Sequence, residues 1–342
     1  MADRRDSLST SPKASFVSII VCTRNRAVKL ERTLRTIGEL EVPTDSSYEV
    51  IVVDNGSTDT TAAVCAQFEK DFPTALRRVF LPIPGLSRAG NAGFVASRGD
   101  LIAYLDDDVL PRKDWLAVLC REFTTDPQLG VLSGRVELWN PEDLPLATRR
   151  QEQRCEFHAL DDSFNIFIGC NLAIRRSVIE KIGLFDPVLG TGSRFGSAGD
   201  SDFCYRAWKA GQKLVYVPAL FVYHDHGRRS LQDRRKVMRD YTFGRGAFYA
   251  KHVCARDAVA LRAMYWELLE ARKSLLTLGD NLGWRHLAWL GRAICSYTLR
   301  HGWRVWRDGI DTPAKPESAR ETPTSQPPGP IDNTVMFKTT QV

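Results

Sequence analysis

Three consecutive aspartates, Asp106, Asp107 and Asp108, follow directly on the apolar run LIAYL at 101–105. Like charges packed this closely repel, so the cluster asks for a compensating cation. Carboxylates at i and i+2 leaving a strand end suit a hard divalent ion such as Mg2+ or Mn2+, which binds through oxygen. Such ions take few protein carboxylates and fill their remaining positions with phosphate oxygens and water, so a D-x-D fits a metal–diphosphate complex better than a free ion. The plainer alternative is a spare acidic loop. Arg24, Arg26 and Arg88 offer positive charge to a diphosphate, and Asp54 offers an acceptor to a base N–H. The chain contains no G-x-x-x-x-G-K-[ST], which excludes a P-loop. It has no G-x-G-x-x-G after its first apolar run, which leaves a dinucleotide fold little support.

These residues lie at the ends of a regular alternation. Apolar runs at 16–22, 48–54, 76–81 and 101–105 read as strands. Between them, Leu30, Leu34 and Ile37 recur at helical spacing, and helices are expected over about 60–70, 87–98 and 113–123. Strands alternating with helices of this length predict βαβ units around a mostly parallel, Rossmann-like α/β sheet flanked by helices. Ligands of such sheets bind beyond the carboxyl ends of the strands. Those ends carry residues 23–26, Asp54 with Asn55, and Asp106 to Asp108, so three polar clusters converge on one rim. Further along, 164–174 and 213–224 read as strands, with helices near 176–182 and 200–210 and a glycine-rich loop at 190–199. Three helical stretches follow, at about 231–250, 256–278 and 284–306.

The segments VSIIVCTRNR, YEVIVVDNGSTDTT, RAGNAGFVASRGDLIAYLDDDVLP, GCNLAIRRSVIEKIGLFDP and GDSDFCYRAWKAGQKLVYVPALFVYH, in that order, resemble a family 2 glycosyltransferase with the GT-A fold. The resemblance runs from about Phe16 to His226. It implies an inverting enzyme that moves a sugar from a nucleoside-diphosphate donor, a UDP-sugar first among candidates, to a saccharide or lipid-linked acceptor in polysaccharide biosynthesis. By the same likeness, Thr23, Arg24, Asn25 and Asp54 cradle the nucleotide base, and Arg88 and Asn91 line the nucleotide pocket. Asp106 and Asp108, with Asp107 between them, hold the ribose and a divalent cation (Mn2+ or Mg2+). His224 completes the metal site, with His226 two residues further on; the plainer role for His224 is a strand-end histidine bonded to backbone. Family members read G-E-D-x-D where this chain has Gly199-Asp200-Ser201-Asp202. Asp200 is retained as the expected catalytic base, while the absent glutamate puts the acceptor contacts in doubt. Asp202 is expected to cap the helix or pair with Arg206, four residues on.

Composition and pattern, with the resemblance, divide the chain into a disordered N-terminus at 1–15, a catalytic domain at 16–230, a basic helical extension at 231–308 and a disordered proline-rich tail at 309–342. Between Arg228 and Arg307 there are 17 Lys and Arg against 6 Asp and Glu, so this region carries +11 of a net charge of +6 and the rest of the chain −5 (6 − 11). Leu287, Leu290, Ile294 and Tyr297 form one face of its last helix, with Arg285, Arg292, Arg300 and Arg304 mainly elsewhere. Such a helix either lies on an anionic membrane surface or docks its stripe on the catalytic domain or a second subunit. The basic residues form no nucleic-acid-binding module. With eight scattered cysteines, no export signal and no apolar span, the expected location is cytoplasmic, with a peripheral place on the inner face of the plasma membrane if the membrane role holds. Two rivals remain: a sugar nucleotidyltransferase, which should carry glycines where CTRNRAV has none, and a non-catalytic carbohydrate-binding descendant.

Overall fold

A computed structural model of the protein describes residues 15–278 and 281–310, with the backbone alone for 273–278 and 281–283. The chain opens with β1 (Ser15–Thr23), α1 (Ala27–Gly38), β2 (Ser46–Asp54), α2 (Thr61–Asp71), β3 (Leu76–Phe80), α3 (Leu86–Ala96) and β4 (Leu101–Asp106). It continues through β5 (Val109–Pro111), α4 (Trp115–Thr125), β6 (Leu129–Leu138), β7 (Cys155–Glu156), α5 (Asp162–Asn165), β8 (Asn171–Arg175) and α6 (Arg176–Ile182). Next come α7 (Gly199–Lys209), β9 (Lys213–His224), α8 (Leu231–Cys254), α9 (Ala258–Leu278) and α10 (Asn281–Tyr297). One π turn, Thr298–Gly302, leads to α11 (Trp303–Asp308).

All nine strands join one sheet of order β3-β2-β1-β4-β8-β6-β9-β5, with β7 also on β9. Pairs β3–β2, β2–β1, β1–β4 and β6–β9 are parallel, while β8, β5 and β7 run against their neighbours. The sheet is therefore mostly parallel. Side chains alternate across it, as period-2 geometry requires. Val17, Ile19 and Val21 pack on one face with Leu30 and Leu34 of α1 and Trp115 of α4. Ile20 packs on the other with Ala89 and Ala92 of α3 and Phe203 of α7.

Register lines up the strand ends: Thr23 lies opposite Asp54, and Cys22 opposite Asp106. The chain then crosses from β4 to the far edge, where Val109 of β5 pairs with His224 of β9. This crossing carries the aspartate triplet to the end of β9. Strand β9 lies close against β6, since a methyl on Gly134 would sit 1.9 Å from the Leu220 carbonyl oxygen.

Two parts of the fold differ from the sequence expectation. The run at 164–174 is strand only over Asn171–Arg175. Before it the chain turns through α5, because the Asp162 carboxylate accepts the His158 and Ala159 N–H groups, and Phe167 is buried from loop backbone. Strand β6 has no counterpart in the pattern, since glycines at 130 and 134 with Ser133 and Arg135 dilute its apolar signal.

The helical extension is not a separate body. Phe248 and Tyr249 of α8 and Leu290 of α10 are buried in the same core as Ile20 and Phe203. Leu290 and Tyr297 of the apolar stripe are buried, so that stripe docks on this chain's own helices. Among the described residues no helix is long and apolar enough to cross a membrane. The expectations for residues 1–14 and for the tail from 311 lie outside the described residues.

Candidate active site

Asp106, Asp108 and His224 come together at the rim, each offering one ligand atom within 4.8 Å of the others. Asp106 ends β4, Asp108 starts the crossing, and His224 ends β9, pinned by the Asp225 N–H donating to the Asp108 carbonyl at 2.8 Å. The three carboxylates of the triplet face different ways. Asp107 turns inward, accepting from the Thr23 hydroxyl at 2.7 Å and from Arg26 at 2.7 Å. Arg26 also reaches Asp108 Oδ2 at 2.9 Å. The other oxygen, Asp108 Oδ1, is buried and has no hydrogen-bond partner among the described residues; His224 Nε2 is 3.3 Å away. A buried carboxylate oxygen left this way costs free energy unless something occupies the space before it.

The electrostatics agree. Burial, with the Asp108 charge alongside, pushes the Asp106 carboxyl up to about 7. Burial works the same way on Asp108, yet contact with His224 and the charges of His224 and Arg26 hold it below the ordinary carboxylate range. Burial disfavours protonation of His224, but Asp108 outweighs it and raises the imidazole pKa. The His224 Nδ1 faces the Ala147 carbonyl oxygen at 3.4 Å, and a proton there leaves the Nε2 lone pair toward the carboxylates. Two carboxylates and one imidazole, with an unsatisfied oxygen among them, fit a divalent cation. His226 plays a structural part instead. It accepts from the Arg228 N–H at 2.9 Å and meets the Leu144 carbonyl at 3.1 Å, fastening the 140–149 loop to the end of β9.

Beside this cluster lies a cavity of about 340 Å³ whose wall includes Asp106, His224 and Asp200. Asp200 stands in the first turn of α7. Its Oδ2 accepts the Gly169 N–H at 2.7 Å and its Oδ1 the Ser201 N–H at 2.9 Å. The carboxylate is thus fixed in orientation, with a lone pair still free on each oxygen. The glycine before it has a steric reason. A Cβ at 199 would lie 2.6 Å from Ser87 Oγ, which donates to the Leu189 carbonyl at 2.7 Å. Ser87 thus takes the space a glutamate stem would need.

Asp202 is fully buried and structural. Its Oδ2 meets Arg206 Nε at 2.8 Å; its Oδ1 meets Lys251 Nζ at 2.7 Å and His252 Nε2 at 3.0 Å. Burial would raise this carboxyl, but Lys251, Arg206 and His252 hold it well below the usual range. The expected Asp202–Arg206 pair is present, and the Lys251 and His252 partners carry it on to α8.

The remaining predicted residues do not line the cavity. Asn25 takes a left-handed φ of 54°, which asparagine tolerates, and its Oδ1 accepts the Thr58 N–H at 2.7 Å. Asp54 is buried and accepts from Ser57 N–H at 2.9 Å and Arg78 Nε at 3.1 Å. Arg24 and Arg88 are exposed. Asn91 is engaged elsewhere: its amide donates to the Phe185 carbonyl at 2.9 Å and accepts the Phe185 N–H at 3.0 Å, which clamps α3 to the 185–190 loop. The sequence reading missed Arg228, Lys236 and Tyr241, which close the cavity from the start of α8. Their spacing at the N-terminal end of a basic helix gave no sign of which body that end would cover.

The family model described as Glycosyl transferase family group 2 matches residues 101–306, and that described as Glycosyl transferase family 2 matches 18–183. The chain is 30% identical over 205 residues to Glycosyltransferase AglE of Haloferax volcanii, covering 59% of this chain and 64% of the relative. It is 30% identical over 254 residues to the pre-mycofactocin glycosyltransferase of Mycobacterium tuberculosis, covering 70% of this chain and 47% of the relative. The chain therefore spans between about half and two thirds of the length of these curated relatives. Among solved structures, it is similar to the mannosyltransferase PcManGT from Pyrobaculum calidifontis in complex with GDP-Man and Mn2+, with a TM-score of 0.56, 21% identity, and 82% of this chain and 86% of that one covered. It is also similar to S. aureus TarS 1–349 in complex with UDP-GlcNAc, with a TM-score of 0.57, 17% identity, and coverage of 86% and 88%. These likenesses show the GT-A fold.

Proposed function

This chain belongs to the family 2 glycosyltransferases, and from that premise we propose that it transfers a sugar from a nucleoside-diphosphate donor to a hydroxyl acceptor, inverting the anomeric centre. The observation that carries this reading is the approach of Asp106, Asp108 and His224 at the wall of a cavity that Asp200 also lines. Asp106, Asp108 and His224 are the residues that would hold a divalent cation, Mn2+ or Mg2+. Bound there, the cation supplies positive charge against the two phosphates of the donor. Arg228 and Lys236, in the same wall, add charge toward the leaving diphosphate. Thr23, Arg24, Asn25 and Asp54 border the place for the nucleoside, with UDP as the first candidate.

Asp200 accepts the proton of the acceptor hydroxyl on a carboxylate oxygen as the new bond to the anomeric carbon forms. The bond from that carbon to the diphosphate oxygen breaks on the opposite face, and the nucleoside diphosphate leaves. One base and no nucleophile make a single displacement. The glycoside formed should therefore have the opposite anomeric configuration to the donor, read by proton NMR of the product. Retained configuration would overturn the single-displacement route.

A lipid-linked saccharide is the acceptor class this reading favours. Leu299, Trp303 and Trp306 are exposed beside exposed Arg300 and Arg304, a combination suited to an anionic membrane surface. The nucleotidyltransferase rival lacks support in the β1–α1 loop, where residues 24–26 provide side chains rather than a glycine cradle.

A further inference from the structure

Helix α8 has two lined faces. Asp233, Lys236, Val237, Asp240 and Tyr241 face the active-site cavity. Leu231, Arg234, Arg235, Met238, Thr242 and Arg245, spaced at helical intervals on the opposite side, face a second cavity of about 950 Å³ closed by α5, α9 and α10. That volume lies in the upper range of small-molecule sites. Its chemistry is divided. Three carboxylates, Asp161, Glu267 and Glu270, share its lining with the arginines, and Glu267 is spent within the protein: Arg245 reaches it at 3.1 Å, the Tyr249 hydroxyl at 3.0 Å and His286 Nε2 at 3.2 Å. Arg234, Arg235 and Arg285 of its lining are exposed. The apolar part of the wall is left open: Leu231 is 67%, Trp266 52% and Met238 45% exposed. Large apolar side chains held open inside a concave wall, beside exposed guanidinium groups, ask for a ligand with both characters.

We propose that this second cavity binds an amphiphile carrying a phosphate head, its chain on Trp266, Trp289, Met238 and Leu231 and its phosphate on Arg234, Arg235 and Arg285. The site stands apart from the transfer chemistry. Its use as an anchor for the acceptor rests on the transferase reading. Arg234 and Arg235 share the first turns of α8 with Asp233 and Lys236, and the helix with side chains is about 10–12 Å across. A sugar linked to that phosphate therefore needs to cross only one helix to enter the active-site cavity.

The test uses the whole chain and dodecyl phosphate below its micelle concentration, titrated calorimetrically beside dodecyl maltoside and inorganic phosphate. One dodecyl phosphate should bind per chain, at least about tenfold more tightly than the maltoside, with no saturable binding of inorganic phosphate at the same concentrations. Trp266→Ala and the double variant Arg234→Glu/Arg235→Glu should each weaken that binding by about tenfold or more. Both change exposed side chains and should leave the circular dichroism spectrum and UDP–Mn2+ binding as they were. Equal affinity for the two amphiphiles, inorganic phosphate binding as tightly as the amphiphile, or unchanged binding in both variants would overturn the proposal. Binding of dodecyl phosphate by a chain that binds no nucleoside diphosphate would leave the site standing and remove only its role as acceptor anchor.

Discussion

Replacing Asp200 by asparagine is expected to lower turnover by roughly 10²–10⁴-fold, the range that a positioned general base contributes. The substitution keeps the shape of the side chain and one oxygen to accept the Gly169 N–H, which now bonds Oδ2 at 2.7 Å, and gives up the Ser201 N–H bond that Oδ1 accepts at 2.9 Å. The turn into α7 should survive, and with it the cavity wall. What is lost is the ability to take a proton. Steady-state release of nucleoside diphosphate from the donor should therefore fall in kcat. Thermal stabilisation by nucleoside diphosphate with Mn2+ should match the unaltered protein, because Asp200 is not among the three clustered ligand atoms. Unchanged turnover would remove Asp200 as the base. A joint loss of turnover and nucleotide binding would mean that the loop, not the proton transfer, had been damaged.

The second large effect is on stability. Lys251 is 2% exposed, with its ammonium 2.8 Å from Asp186 and 2.7 Å from Asp202. Truncation to alanine leaves two carboxylates short of a buried partner. Removing one member of such a cluster typically costs about 3–5 kcal/mol. Arg206 and His252 still face Asp202, so the figure belongs nearer the lower end. Because Lys251 joins α8 to α7 and to the 185–190 loop, unfolding by urea should move to lower midpoint as one transition. Two separated transitions would instead indicate that the C-terminal helices unfold independently of the sheet.

The first two strands were legible because each is a short β-branched run closed by a polar turn, as YEVIVVD is closed by NGSTD, and the next two by their place in the strand–helix alternation. The pairing of residues across the sheet was not. Nothing in sequence places Asp108 against His224, 116 positions apart, since their contact depends on β5 leaving β4 for the far edge of the sheet. The resemblance supplied His224, and the geometry distinguishes it from His226, whose two ring nitrogens are taken by backbone. Asn91 was legible as a polar residue on α3 but not in its clamp on Phe185, a contact made across 94 residues. The basic extension was legible as three helices. That its apolar stripe lies against the chain's own core followed only from packing, because a stripe reads the same whether it meets lipid or protein.

The most direct test of the metal–diphosphate site is thermal unfolding of the unaltered chain with UDP, GDP, TDP or CMP, each with and without Mn2+. A ligand at 100 times its dissociation constant adds about 2.7 kcal/mol of stability. Such a shift is expected with one nucleoside diphosphate, in the presence of Mn2+ and not in its absence, and lost when Asp108 is replaced by alanine. A shift of equal size without the cation, or none with any nucleotide, would contradict a metal–diphosphate site at Asp106, Asp108 and His224.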